Sequence, residues 1–178
     1  AIDSRKNIYV ADPDRGQIIK FNSSGDSIAA WSATIPTSLA IDASDIVYVV
    51  ASNGQKLIAF DTTGNQLDSL VAPASQFSRV KASHAHQDVW AGDIASGNIK
   101  HYQPNFILAD ILTITQGPIG EPSGLKGIDD SDLCYVSEYQ RPVFVFDAAS
   151  TLKSWWDAGA YECLAIANRT VYVVSQRG

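Results

Sequence analysis

No run of apolar residues in this chain approaches the length of a membrane-spanning helix, and its start lacks the basic, apolar and small-residue order of a secretory leader. No transmembrane segment is expected. Basic charge is also scarce: 13 Lys and Arg stand against 19 Asp and Glu, and the basic residues are scattered rather than clustered. Nucleic acid, which is gripped through its phosphates, is therefore not an expected partner. There is no Gly-x-Ser-x-Gly elbow and no phosphate-cradling glycine loop, and neither cysteine has a histidine near it in sequence. The short motifs that mark a nucleophilic enzyme are thus missing. The two cysteines, Cys134 and Cys163, fit either one disulfide or two buried thiols and leave the compartment open. Convincing helical periodicity is absent throughout.

What the chain has is a repeat. Its 178 residues, 46% hydrophobic and 18% charged, have globular composition and suffice for one domain with a buried core. Aligning Ile2 to Trp31 with Ile41 to Leu70 puts Tyr9 on Tyr48, Phe21 on Phe60 and Gly25 on Gly64, each 39 residues apart. Further copies place Trp90 and then Tyr135 in the Tyr48 slot, and Tyr102 and then Phe146 in the Phe60 slot. Within a unit, short β-branched and aromatic runs such as Ile46 to Val50 alternate with turns such as Ser52-Asn53-Gly54. A unit of four short strands recurring about every 40 residues predicts an all-β fold, a β-propeller of four-stranded antiparallel blades. The expected blades are residues 1–34, 35–74, 75–119 and 120–159, with a partial one at 160–178. Continuous apolarity in the central strands follows, because a blade is covered on both faces.

Asn7-Ile8-Tyr9-Val10-Ala11-Asp12, Arg15-Gly16-Gln17-Ile18-Ile19-Lys20-Phe21 and Ser24-Gly25 resemble the NHL-repeat family of β-propellers. The resemblance weakens along the chain: Ala51 stands where the first unit has Asp12, His84 replaces the Asp42 position, and the fourth unit lacks the turn glycine. NHL propellers usually close with six blades, which at about 40 residues each needs roughly 240 residues. The resemblance therefore implies an incomplete propeller, its missing blades supplied by further sequence or by another chain. A start at Ala1, almost at once in a strand pattern, fits a processed or trimmed polypeptide.

Several residues are candidates for a site. His84 and His86, two apart on an extended segment, point to one side and fit a shared metal, calcium or zinc being the cofactors considered. The alternative is that His84 merely replaces the repeat's Asp. Asp42, with Asp3 and Asp129, recurs where the first strand of a unit turns to the second. Such carboxylates either bind a cation, as in gluconolactonase-like propellers, or accept backbone N–H groups of their own turns. NHL-like peptidyl-hydroxyglycine lyases use histidines from several blades, whereas all three here, His101 included, fall in one unit. Asp12, Asp93 and Glu138 follow the second strand in three units and are expected on one rim, with Asp14, Arg15, Tyr139 and Arg141 beside them as a binding face. Trp155 and Trp156 are candidate anchors there, or cover a blade edge.

The expected function is a non-enzymatic propeller scaffold binding a protein or glycan partner through its loop rims. A metal-dependent hydrolase or lyase is the alternative, and a module of a larger surface or virion assembly a third. Sequons at Asn22 and Asn168 fall in expected turns and favour an extracellular or periplasmic location.

Overall fold

The structure is a computed structural model and describes residues 1–83, 87–113, 125–128, 131, 133–136, 142–147, 149, 151–156, 161–167 and 170–175. The apolar runs form strands and the Gly, Asn and Asp clusters between them form turns. In the first sheet β1 (Ile8–Asp12), β2 (Gln17–Phe21) and β3 (Ser27–Ser32) lie side by side, with Ile2 bridged to Ile8. The second contains β4 (Ser38–Ile41), β5 (Val47–Ala51), β6 (Lys56–Phe60) and β7 (Gln66–Val71), and the third β8 (Phe77–Ala82), β9 (Val89–Asp93), β10 (Asn98–Gln103) and β11 (Ile107–Thr113). A fourth holds β12 (Leu125–Ile128), β13 (Cys134–Val136), β14 (Val143–Phe146) and β15 (Leu152–Trp156), and a fifth β16 (Tyr161–Ala167) and β17 (Thr170–Ser175). Every pair is antiparallel and each sheet is ordered as the chain runs. Among the described residues there is no α-helix, only 3-10 turns at Ser52–Gly54 and Pro104–Phe106.

The sheets stack face to face in chain order, as propeller blades do, with the first strands β4, β8, β12 and β16 next to one another. Side chains on a strand alternate between its faces, so each central strand serves two neighbours. Val47, Val49 and Ala51 of β5 join Tyr9 and Ile18 of blade one, while Tyr48 and Val50 join Val80, Val89 and Tyr102 of blade three. Blade three meets blade four through Trp90, Ile99 and Leu112 against Leu125, Cys134, Phe144 and Phe146. Cys134 is a free thiol buried in that interface.

The aromatic ladder now has a meaning. Tyr9, Tyr48, Trp90 and Tyr135, each at most 6% exposed, face the following blade, whereas Phe60, Tyr102 and Phe146 face the preceding one. Between the first two blades Trp31 of β3 is wedged against both Tyr9 and Phe60, its ring 6.0 Å from each. The turn beneath it must be bare, and it is Gly64, whose missing Cβ would lie 2.7 Å from the indole. One interface further on, Leu70 takes the Trp31 position and Phe106 the Gly64 position, so that the large ring now comes from the turn, 6.1 Å from Tyr48. The large and small partners have exchanged sides.

Gly64 and Gly25 occupy equivalent turns at φ of +91° and +88°, a region costly for other residues. A Cβ on Gly25 meets nothing within 4 Å. Gly25→Ala is therefore expected to cost about 1 kcal/mol from backbone strain, and Gly64→Ala about 2–3 kcal/mol because the Trp31 ring is also displaced. Urea midpoints of the two variants check the difference.

Candidate functional site

Antiparallel blades put their turns on two rims. One rim carries the turns from first to second strand and from third to fourth, and here a single device recurs. The Asp3 Oδ1 accepts the N–H groups of Arg5 and Asn7 at 3.0 and 2.8 Å, and the Asp42 Oδ1 those of Ser44 and Ile46 at 2.8 and 2.9 Å. Asn22, Asp61 and Asp147 hold third-to-fourth turns in the same way, accepting N–H groups of Ser24 and Asp26, Thr63 and Asn65, and Ala149 and Thr151. A carboxylate or amide oxygen thus completes the hydrogen bonds that a tight turn cannot make by itself. The other oxygen of Asp3 and of Asp42 receives the hydroxyl of the blade's own ladder tyrosine, Tyr9 at 2.9 Å and Tyr48 at 3.1 Å. Both oxygens of Asp42, a candidate metal ligand, are therefore occupied by protein donors.

The two aspartates nevertheless titrate in opposite directions. Burial pushes the Asp3 carboxyl up, but hydrogen bonds from Asn7 and Tyr9 and the nearby Lys20 ammonium, 3.8 Å away, outweigh it and hold it below the ordinary value. Burial wins at Asp42, which has no such cation among the described residues and is raised despite its bonds to Ile46, Ser44 and Tyr48.

On the opposite rim lie the turns from second to third strand. Asp12 ends β1 and Asp93 ends β9, the same place in the repeat, yet Asp93 is wholly buried. Asp93 therefore does not belong to an exposed acidic rim. It shares its strand face with Val89 and Ala91, which blade two covers. Its Oδ1 accepts the Gln76 and Ala95 N–H groups at 2.8 and 3.1 Å, and its Oδ2 lies 2.7 Å from the Lys100 Nζ. Lys100 in turn donates to Ser75 Oγ at 2.7 Å and lies over the Phe77 ring. This buried pair ties the turn after β9 to the connection entering β8. Burial pushes the Asp93 carboxyl up, and the bonds from Lys100, Gln76 and Ser96 more than reverse that, leaving it lowered.

Asp12 shares its face with Ile8 and Val10, which are 40% and 42% exposed among the described residues, and it caps the Arg15 N–H at 3.0 Å within its own loop. Asp14 and Arg15 project from the tip of that loop and are exposed. Glu138, Tyr139 and Arg141 lie outside the described residues, as do His84, His86 and Asp129. The tryptophans part company: Trp155 is 61% exposed on β15, whereas Trp156 turns inward and meets Tyr135 edge-on at 6.3 Å. Trp156 is thus not an exposed anchor, because it takes the Trp31 position in its blade.

The sequence reading overlooked the surroundings of His101. The imidazole stacks on Trp90 at 4.0 Å, its Nε2 lies 2.9 Å from the Asp88 Oδ2, and its Nδ1 is buried with no partner among the described residues. Alignment with Lys20 of β2 was the available signal. Among the described residues no three His, Cys, Asp or Glu side chains gather as a metal-binding group. No helix there is long and apolar enough to cross a membrane.

Solved structures share this arrangement. Virginiamycin B lyase from Staphylococcus aureus superposes with a TM-score of 0.77 over 98% of this chain, at 10% identity. A streptogramin B lyase does so with a TM-score of 0.76 over 100% of it, at 11% identity. The fold is a β-propeller. Hydrazine synthase of Kuenenia stuttgartiensis matches 92% of the propeller chain at a TM-score of 0.71 and 9% identity. The propeller described here spans 61%, 68% and 49% of those three chains respectively. At such identities the likeness is one of fold alone. No family model and no curated protein matches the sequence, so the NHL resemblance rests on the residues quoted for it.

Asp93→Asn leaves the Lys100 ammonium without its partner and is expected to cost about 3 kcal/mol near neutral pH. Because the folded Asp93 titrates below its unfolded value, its contribution is fully present above about pH 4 and is lost as pH falls through the folded value. Urea denaturation across pH 2–7 is expected to show a shallower acid limb for Asp93→Asn than for the wild type.

Proposed function

We propose that the chain is a non-enzymatic propeller scaffold of NHL type that binds a protein or glycan partner through its loop rims, outside the cytoplasm. The carrying observation is where its acids go. Asp3, Asp42, Asp61, Asp93 and Asp147 are each engaged by backbone or side-chain donors of their own surroundings. A residue that repeats with the unit and is satisfied within it does structural work. What the rim presents to solvent is the exposed Asp14-Arg15 tip, where Arg15 reaches the Asp12 carboxylate at 3.4 Å, together with exposed Trp155 on the outer strand of blade four. The sequon at Asn22 lies in a turn whose Ser23 and Ser24 are exposed, which suits an exported protein.

A second reading is a lyase. It is favoured by the superposition on virginiamycin B lyase and streptogramin B lyase over nearly the whole chain, and it would make a streptogramin-type compound the substrate to try. The two readings separate in one set of assays. For the scaffold, screening on glycan and extracellular-protein arrays is expected to find a ligand whose affinity falls at least tenfold in Asp14→Ala/Arg15→Ala. Stoichiometric calcium or zinc, lost in His84→Ala together with turnover of a streptogramin, contradicts it.

The uncovered face of blade one bears on the partner. Ile8, Val10 and Ile28 are 40%, 42% and 51% exposed, although the equivalents of Ile8 and Val10 in blade two, Val47 and Val49, are fully buried against a neighbour. A further blade, from the same polypeptide or another chain, is the cover this face fits. In the full-length protein Val10→Asp is then expected to cost 2 kcal/mol or more, about what an unpaired buried polar group costs; a change within about 0.5 kcal/mol, the range of an ordinary surface substitution, means the face is wet.

A further inference from the structure

One position in the repeat holds a cation in blade one, a histidine in blade three and a void in blade two. In blade one Lys20 stands directly across the strand pair from Tyr9. Its ammonium lies 5.2 Å from the centre of the Tyr9 ring, 3.8 Å from the Asp3 carboxylate and 3.0 Å from the Thr62 carbonyl of the next blade. In blade three the cross-strand partner of Trp90 is His101, stacked on the indole and bonded to Asp88. In blade four Val145 stands across from Tyr135 and is buried there.

Blade two has Ala59 across from Tyr48. The tyrosine–aspartate pair of blade one remains. Tyr48 donates to Asp42 as Tyr9 does to Asp3, and Pro104 and Asn105 of the next blade hold the repeat positions of Thr62 and Thr63. Where the lysine would run there is a cavity of about 100 Å³, lined by Tyr48, Ala59, Pro104, Asn105 and Phe106 and by the carboxylate-bearing Asp68. Asp68 is the residue directly across from Ala59 on β7, so it shares that face; in blade one the same position is Ala29. Blade two has thus lost the cation and gained an acid. Among the described residues no Lys or Arg pairs with Asp42 or Asp68.

We propose that this cavity between blades two and three is a binding site for a primary alkylammonium group, which takes the place that the Lys20 side chain fills in blade one. The part of a lysine that alanine lacks is a propylammonium, so propylammonium is the probe. Its charge would meet Asp68 and the Tyr48 face, as Lys20 meets Asp3 and Tyr9. Leu67, 55% exposed, and the exposed Asn105 mark the open side by which it enters. The site is independent of the rim-binding function proposed above.

Propylammonium is titrated into the full-length protein at constant ionic strength, followed by NMR shifts of Tyr48 and Ala59, with n-propanol as the uncharged isostere. Saturable binding with a Kd on the order of 1 mM is expected for so small a ligand, and none for propanol. Asp68→Asn is expected to weaken it at least tenfold. Ala59→Lys is expected to abolish it and to raise the thermal midpoint on the order of 3 °C by filling the slot. Circular dichroism confirms the fold, and if Ala59→Lys fails to fold, the partly exposed Asp68→Asn decides the matter. Absence of saturation, equal binding of propanol, or unchanged binding in Asp68→Asn overturns the proposal. A blocked lysine peptide in a parallel titration identifies the source: tighter binding than propylammonium points to a partner's lysine, and no binding beside saturable propylammonium points to a free amine.

Discussion

Val47, Val49 and Ala51 pack on one neighbouring sheet while Tyr48 and Val50 pack on the other, and a strand buried on both sides in this way is stable only between two sheets. Blade two shows the consequence most fully, since all five residues of β5 are buried. A fully buried aliphatic side chain contributes about 1.5–3 kcal/mol relative to an exposed one, so the interfaces outweigh any contribution from the turns. Blade one has only one covered face, and its β1 accordingly alternates between buried Tyr9 and exposed Ile8 and Val10.

The same constraint explains why equal positions in the repeat have unequal chemistry. Asp12 and Asp93 are equivalent, but only Asp93 has a blade in front of it, and burial there demanded a partner, which Lys100 provides at a position that is Ile19 in blade one and Ile58 in blade two. Asp3 and Asp42 close identical turns and still shift oppositely, because burial prevails at Asp42, whereas at Asp3 the Asn7 side-chain amide, absent from the equivalent Ile46, adds its hydrogen bond to those of the turn and Tyr9, with Lys20 contributing least. In each case the residue at the repeat position is unchanged and its neighbours decide how it behaves.

Much of this was legible in the chain. The spacing of Tyr9, Tyr48, Trp90 and Tyr135 located the second strands and the turns beyond them, because packing against the next blade selects a large ring at one position per unit. Recurrence of Asp3 and Asp42 pointed equally well to turn caps. Less legible was the direction in which each polar residue points. Asp93 read as a loop acid because it ends a strand, although its parity with Val89 and Ala91 placed it on a covered face, and a lysine at an apolar position of β10 hinted at its partner. Trp156 and Trp155 are adjacent and therefore opposite in facing, a distinction that needs the strand register. The exchange of Trp31 and Gly64 for Leu70 and Phe106 lay beyond sequence reasoning, since volume is conserved across the interface and not along the chain.

Double-mutant cycles across the two faces of β5 test the central claim most directly. Ile18→Val in blade one is combined in turn with Val49→Ala and Val50→Ala, and stabilities are measured by urea denaturation. With alternate residues serving opposite neighbours, Ile18 should couple to Val49 by about 0.5 kcal/mol or more and to Val50 by close to zero. Equal coupling of Ile18 to both would mean that β5 does not divide its side chains between two blades, and the account of the fold would fail.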